Sequence, residues 1–239
     1  MGMKFACAIS ALSLVATAAA SPASAQLLGP TPYLSTADSP FHPANYAHFY
    51  LEDLEDGLVN TPGLTASSLG VICVSNEPGC FEGGEGLIDS VGNGGNPNVG
   101  HSLYGSNGSI TLTFDASVLG ALPTAAGLVW TDGSNPITFQ AYDENDQLIG
   151  TLNGDSADNS FTGGTAEDRF YGVINAGGVS KLVITDNGGI EIDHIQYGVG
   201  ADGRTAGGVP EPAAWALMLT GFFGVGGTIR ARRRSLHLA

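Results

Sequence analysis

Basic residues are scarce in this chain. Eight Lys and Arg stand against 23 Asp and Glu in 239 residues, and the formal net charge is −15 with His neutral. Between residues 26 and 209 the imbalance is stronger, with 22 acidic side chains and three basic ones (Arg169, Lys181 and Arg204). An acidic surface of this kind repels phosphate backbones. The composition therefore argues against nucleic acid as a partner.

Long stretches with helical periodicity are also scarce, whereas glycine supplies 31 of the 184 residues from 26 to 209. This is more than twice the usual share of about 7%. Polar and apolar residues alternate between Gly, Asn and Asp breaks, which is typical of strands joined by tight turns. The predicted strands lie at residues 46–51, 71–74, 87–91, 110–114, 127–131, 137–142, 148–152, 169–175, 179–185 and 190–197.

These strands lack helical crossovers, so an all-helical fold and a doubly wound nucleotide-binding fold are both disfavoured. The sequence predicts an all-β domain over residues 26–200, an antiparallel two-sheet sandwich of jelly-roll type. Residues 201–209 are rich in Gly, Asp and Ala and predict a flexible linker.

Cysteine is rare, with three in the whole chain. A positive start, an apolar run over residues 5–20 and a small-residue motif predict a signal peptide at 1–25, cleaved between Ala25 and Gln26. A buried helix is the alternative. Cleavage leaves Cys73 and Cys80, which in an exported protein most simply form a local disulfide. A zinc site would need further ligands, and none is close in sequence.

The C-terminal end carries a second apolar run, over residues 213–229. Its 17 residues span about 25 Å as a helix, near the lower limit for crossing a membrane. The arginines that follow would stay in the cytoplasm, which places the preceding domain across the inner membrane. A buried C-terminal helix is the alternative, but it leaves the arginines unexplained.

The same end carries an ordered set of motifs: Pro210, Glu211, Pro212 and Trp215, then Arg230, Arg232, Arg233 and Arg234. Residues 210–234 thereby resemble the PEP-CTERM sorting signal of exported proteins of Gram-negative bacteria, in its PEPxxWA variant. The resemblance implies recognition by an exosortase, transient residence in the inner membrane, and delivery to the cell surface or beyond, often among exopolysaccharide. Such tails have also been labelled ice-binding protein C-terminal domains, which implies nothing about ice here.

The middle of the chain is similar to uncharacterised domains that precede this tail, through residues 50–57, 127–133, 167–172 and 192–198. In such domains an acidic run follows the position of Asp89, Ser90 and Val91. Here that place holds Gly and Asn over residues 92–96. The resemblance therefore gives no support to metal ligands in that run.

The last predicted strand contains an anomaly. Ile190 and Ile192 would face one way, and Ile195 and Tyr197 the other. The strand is therefore predicted to change face around Asp193, through a bulge or through burial on both sides. A carboxylate buried there is costly unless it is paired or bound to a metal.

Carbohydrate-binding jelly rolls commonly hold a structural Ca²⁺ between an acidic segment after an early strand and an Asp in the last one. By this analogy the predicted calcium ligands are Glu52, Asp53, Asp89 and Asp193, with backbone carbonyls completing the oxygen shell. The alternative is a solvated acidic turn at residues 52–56, with Asp193 paired to Arg169 or capped by backbone N–H groups.

No residues are predicted to be catalytic. Ser102 lies in a near match to a nucleophile elbow, but the glycine spacing and the strand-turn-helix setting are missing. Residues 143–147 predict a plain hairpin turn rather than a calcium loop. Paired carboxylates for glycoside hydrolysis arise by chance in so acidic a domain.

The sequence thus predicts a non-catalytic protein of the cell surface or extracellular matrix with affinity for carbohydrate. The alternative is a secreted glycosidase or lyase on the same fold. Exposed aromatic side chains would favour binding, and Trp130 and Tyr104 are the candidates. A cleft with two converging carboxylates, one with a raised pKa, would favour an enzyme.

Overall fold

The computed structural model describes residues 24–74, 78–84, 86–92, 96, 98–160, 162–164 and 166–200. Apart from residues 24 and 25, the predicted signal peptide lies outside the described residues, as do the predicted linker and the sorting signal with its membrane helix. Within the described ranges, no helix has the length and apolar character needed to cross a membrane.

Thirteen strands make up just under half of the described chain. Their bounds are β1 Gln26–Pro32, β2 Tyr46–Glu52, β3 Leu64–Ser67, β4 Gly70–Cys73, β5 Phe81–Glu82, β6 Ser102–Gly105, β7 Ser109–Phe114, β8 Ala125–Asp132, β9 Ile137–Tyr142, β10 Leu148–Gly154, β11 Arg169–Ile174, β12 Lys181–Thr185 and β13 Ile190–Gly200. The helices are short: the α-helix α1 Ala116–Leu119 and 3-10 turns at Thr36–Asp38 and Pro43–Asn45.

The strands form two sheets. The first has the order β1-β11-β8-β13-β6-β4-β5, with β2 also paired to β13, and the second has the order β10-β9-β12-β7-β3. All the pairs are antiparallel except β4 with β5, which is parallel. The predicted all-β, two-sheet architecture is therefore confirmed, and the expectation of purely antiparallel pairing is wrong at β5.

The central strand is β13, which pairs with β8 along one side and with β6 and then β2 along the other. Its register with β8 shifts between Asp193 and Gln196, and His194 has a φ of 41°. This bulge inserts one residue, so Ile192 and Ile195 both reach the core between the sheets. The predicted change of face is confirmed.

The first sheet is covered on both faces. Leu128 and Trp130 of β8 belong to the core between the sheets, whereas Val129 belongs to a smaller cluster on the opposite, outer face. That outer cluster consists of Tyr33, Phe41, Tyr46, Val91, Ala125, Val129 and Phe170. All eight residues of β8 are buried, which explains why its sequence is apolar without alternation.

Nine of the ten predicted strands are present. Residues 87–91 form no strand and instead run across the outer face, where Val91 packs in the outer cluster. The hairpin of β9 and β10 is confirmed, and Asp143 Oδ1 accepts bonds from the backbone N–H groups of Asn145 and Gln147 in its turn. The predicted disulfide between Cys73 and Cys80 is also present.

Candidate functional site

A second bulge, in β8, brings two carboxylates together on the outer face. Asp132 is the Cα partner of Glu191, but Trp130 is the partner of Ile192, so Thr131 is an extra residue in β8. If β8 paired regularly here, Asp132, two residues after Trp130, would point to the core side of the sheet. The bulge instead places Asp132 beside Glu191, away from the core.

Three further carboxylates lie around this pair. Glu167 and Asp168 directly precede β11, and Asp89 lies in the segment that crosses the outer face. The backbone N–H of Asp89 donates to Glu191 Oε2 at 3.0 Å. We call this set the acidic cluster, and each member is at most 7% exposed: Asp89, Asp132, Glu167, Asp168 and Glu191.

Burial and the charges of neighbouring carboxylates raise the pKa values of three members of the cluster. Burial raises the pKa of Asp132 to about 8, with further contributions from the charges of Glu191, Glu167 and Asp89. The pKa of Asp168 also rises to about 8, through burial and then the charge of Asp89. Burial raises the pKa of Glu191 to about 7, although a hydrogen bond from Ser102 opposes the shift. Ionising these carboxylates in the folded protein is therefore unfavourable.

The hydrogen bonds satisfy these carboxylates unevenly. Glu191 Oε2 accepts from Ser102 Oγ at 2.6 Å, and Glu167 Oε2 accepts from the N–H of Asp158 at 2.6 Å. Asp168 Oδ1 is buried and has no hydrogen-bond partner. Arg169 donates its Nη1 to the carbonyl of Asp168 at 2.8 Å, and among the described residues it forms no ion pair with a carboxylate.

A pocket of about 320 Å³ adjoins the acidic cluster. Its wall includes the rings of Phe81 and Tyr104, whose centroids lie 6.4 Å apart, and the side chain of Leu87. Asp132 and Glu191 complete the wall on the β8 and β13 side. A few carboxylates among aromatic and aliphatic groups are the usual composition of a small-ligand site.

Two of the four predicted calcium ligands bind backbone N–H groups. Glu52 accepts from the N–H groups of Leu54, Asn60 and Thr61 at 3.3, 2.8 and 2.9 Å. Asp193 is fully buried, and its Oδ2 accepts from the N–H of Val91 at 2.8 Å while Oδ1 accepts from that of His194 at 2.5 Å. Burial nevertheless raises the pKa of Asp193. Backbone capping was the sequence-based alternative for Asp193.

The other two predicted ligands differ in their surroundings. Asp53 is exposed and accepts from the N–H of Glu55 in a local turn, whereas Asp89 belongs to the acidic cluster. Among the described residues, the one group of three ligand-type side chains with donor atoms within 4.8 Å of one another is Cys73, Cys80 and His101. Its sulfurs are joined in the disulfide. His101 is not close to the cysteines in sequence, and the fold brings it to them.

The two aromatic residues predicted to contact a ligand differ in their position. Trp130 is fully buried in the core and is unable to contact a ligand, so its prediction as a binding side chain is wrong. Tyr104 lines the pocket, together with Phe81, which the sequence did not single out. Ser102 lies at the start of β6 and donates to Glu191, as expected for a structural serine.

Comparisons with protein-family models, with curated proteins and with solved structures find no match to the chain.

Proposed function

We propose that the chain is an exported β-sandwich protein of jelly-roll type that acts at the cell surface or in the extracellular matrix, where its pocket binds carbohydrate without catalysis. The observation that carries the binding role is the pairing of two aromatic rings, Phe81 and Tyr104, with two carboxylates, Asp132 and Glu191, around one pocket. Aromatic faces pack against the C–H groups of a sugar ring, and carboxylates accept hydrogen bonds from its hydroxyls.

The charge of the site restricts the class of carbohydrate. The domain around the pocket is strongly acidic, and it therefore repels a uronic acid or a sulfated sugar. The pocket therefore suits a neutral or amine-bearing saccharide. The pocket volume of about 320 Å³ accommodates a few sugar units rather than a long oligosaccharide.

Binding is tested with the full chain, using cellohexaose, chitohexaose and dextran as probes in isothermal titration. Tyr104→Ala should weaken binding of the preferred probe at least tenfold, because it removes one ring of the pocket. Tyr142→Ala is the matched control, since Tyr142 lies on β9 in the other sheet, beside Lys181. The proposal fails if none of the probes binds, or if both variants lose affinity equally.

One observation favours the alternative of a carbohydrate-active enzyme. Asp132 and Glu191 are direct cross-strand partners, and both pKa values are raised into the range that suits a general acid. Incubation of the wild type with the same oligosaccharides, followed by chromatography, tests for cleavage. Products that disappear with Glu191→Gln would establish the enzyme, whereas binding without products supports the non-catalytic role.

Export and sorting complete the proposal. The apolar N-terminus and the PEP-CTERM-like residues 210–234 support transport across the inner membrane and processing by an exosortase, with delivery among exopolysaccharide. Mass spectrometry of the natively produced protein is the test. We expect a mature N-terminus at Gln26 and a C-terminus near Glu211. Intact protein ending at Ala239 would contradict processing of the tail.

A structural calcium ion at Glu52, Asp53, Asp89 and Asp193 stays a prediction. The strand positions of Glu52 and Asp193, on the paired strands β2 and β13, support it. Backbone N–H groups already donate to the carboxylates of Glu52 and Asp193, which leaves fewer oxygen lone pairs for an ion. A melting temperature that is unchanged by chelator would contradict it.

A further inference from the structure

We propose that the chain binds Zn²⁺ through Cys73, Cys80 and His101 when both cysteines are reduced. We call these three residues the thiol–histidine site. Among the described residues they are the one group of three ligand-type side chains whose donor atoms all lie within 4.8 Å of one another. Cysteines are synthesised as thiols, so this dithiol state precedes the disulfide. The proposal does not depend on carbohydrate binding, because it rests on other residues.

Strand pairing brings the three ligands together. Cys73 ends β4, Cys80 directly precedes β5, and His101 directly precedes β6. β4 lies between β5 and β6 in the first sheet. In the antiparallel ladder of β4 with β6, Ile72 pairs with Ser102, so Cys73 and His101, one residue further along each chain, lie side by side. Three neighbouring strands therefore each bring one ligand to the same place.

The carboxylate of Glu55 orients the His101 ring. Glu55 Oε2 lies 3.2 Å from His101 Nδ1, and Glu55 Oε1 accepts from the backbone N–H of His101 at 3.3 Å. An ionised carboxylate only accepts hydrogen bonds, so Nδ1 carries the proton and Nε2 carries the lone pair that a metal needs. Histidine ligands of zinc commonly donate their other ring N–H to a carboxylate. The ring is thus held in the tautomer of a zinc ligand.

The backbone spacing of the two cysteines suits zinc as well as a disulfide. Their Cα atoms lie 6.0 Å apart. Two thiolates on one zinc ion lie about 3.8 Å from each other, because Zn–S bonds of about 2.3 Å meet at a tetrahedral angle. Rotation about the Cα–Cβ bonds separates the reduced sulfurs by that amount without a shift of the backbone. Zn²⁺ then displaces the two thiol protons, and the binding step involves no oxidation or reduction.

The donor set selects the cation. Two thiolates and an imidazole suit tetrahedral Zn²⁺, whereas Ca²⁺ and Mg²⁺ prefer oxygen ligands. Cys73 and His101 are 1% and 7% exposed, but Cys80 is only partly buried, so an ion can enter from the side of Cys80. Water, or the carbonyl of Phe81 at 3.6 Å from Cys73 Sγ, can take the fourth position. The fold therefore supplies a ligand that the sequence did not show near the cysteines.

The test uses the full chain, reduced with a phosphine, freed of metal with EDTA and desalted under nitrogen. Titration with ZnCl₂ against a chromophoric chelator should show one ion bound per chain, and CoCl₂ should produce the absorption of a cobalt–thiolate bond. At a free Zn²⁺ concentration 100 times the Kd, the melting temperature of the reduced chain should rise by roughly 5–10 °C. The oxidised chain should show none of these responses.

Variants locate the ion. His101→Gln should lower the affinity of the reduced chain for Zn²⁺ by more than tenfold, because even the loss of a group that orients a ligand costs about 10–100-fold. Glu55→Gln should give a smaller loss, since it removes only the orienting carboxylate. His48→Gln is the matched control, because the same change falls on an exposed histidine of β2, and its affinity should equal that of the wild type.

Each outcome decides the proposal. A reduced wild type that binds no Zn²⁺ overturns it, as does an unchanged affinity in His101→Gln or an oxidised chain that binds as tightly as the reduced one. If His101→Gln does not fold, Cys80→Ser is measured in its place and should likewise lose affinity. Loss of oligosaccharide binding with an intact Zn²⁺ response would refute only the proposed function.

Discussion

The side chain of Glu52 allows the sharpest test of how the loop after β2 is held. Glu52 ends β2 and is 3% exposed. Its Oε1 accepts from the N–H of Leu54, and its Oε2 accepts from those of Asn60 and Thr61. One carboxylate thus organises both ends of the loop that leads toward β3. We predict that Glu52→Gln destabilises the fold.

The magnitude follows from the number of acceptors. Glutamine keeps the shape of the side chain but replaces one oxygen with an NH₂ group, which faces a backbone donor whichever way the amide is turned. At least one N–H therefore loses its acceptor, and the remaining bonds lose the charge. Hydrogen bonds to charged groups contribute about 1.5–3 kcal/mol. We expect a loss of about 2 kcal/mol, or roughly 4–8 °C in melting temperature for a domain of this size.

The assay is thermal unfolding followed by circular dichroism, with and without EDTA. Glu144→Gln is the control, because Glu144 is exposed in the β9–β10 turn, and its melting temperature should stay within about 1 °C of the wild type. The loss in Glu52→Gln should be the same in both buffers. A shift that vanishes in EDTA would refute the capping argument and assign Glu52 to a cation.

The remaining predictions concern the disulfide, the pH response and a glycine. Replacing Cys73 and Cys80 together with Ser opens a closed loop of sequence separation 7, and urea unfolding should show a loss of roughly 2–3 kcal/mol. The pKa values of Asp132 and Asp168 are both raised to about 8, so between about pH 4 and pH 8 the folded state binds more protons than the unfolded state. The melting temperature in EDTA should therefore fall as the pH rises from 6 to 8. Asp132→Asn should make this fall smaller. Gly127→Ala would place a Cβ 2.5 Å from Phe170 Cζ and should lower the melting temperature. In Gly177→Ala the Cβ would lie 3.6 Å from Asn175, an ordinary contact distance, so the melting temperature should not change.

Alternation predicted the strands that have one buried and one open face. In β7 and β9 the burial alternates residue by residue, as the sequence does. Three of the four strands that were missed give weaker signals. β5 has two residues, β3 buries only its first, and β1 contains Gly29 and two prolines, which are unusual inside a strand.

The candidate site was harder to predict, because its members lie far apart in the sequence. Asp132 stands near Gly and Asn, and Glu167 follows a stretch rich in Thr and Gly, so both resemble ordinary solvated loop residues. Their burial results from segments that cross the outer face of the sheet, such as residues 86–92. Single-sequence patterns carry no information on which loop covers which face. Asp89 was predicted as a calcium ligand, and its place in the acidic cluster was not predicted.

The two bulges explain why part of the outer face was predictable and part was not. In β13, apolar residues change phase across Asp193 and His194, so an inserted residue leaves a visible mark in the sequence. In β8 every residue is buried, and a strand that is apolar on both faces shows no phase to disturb. The bulge at Thr131 therefore had no signature, although it is the one that turns Asp132 toward Glu191. Both the pocket and the acidic cluster depend on that turn, because Asp132 lines the one and belongs to the other.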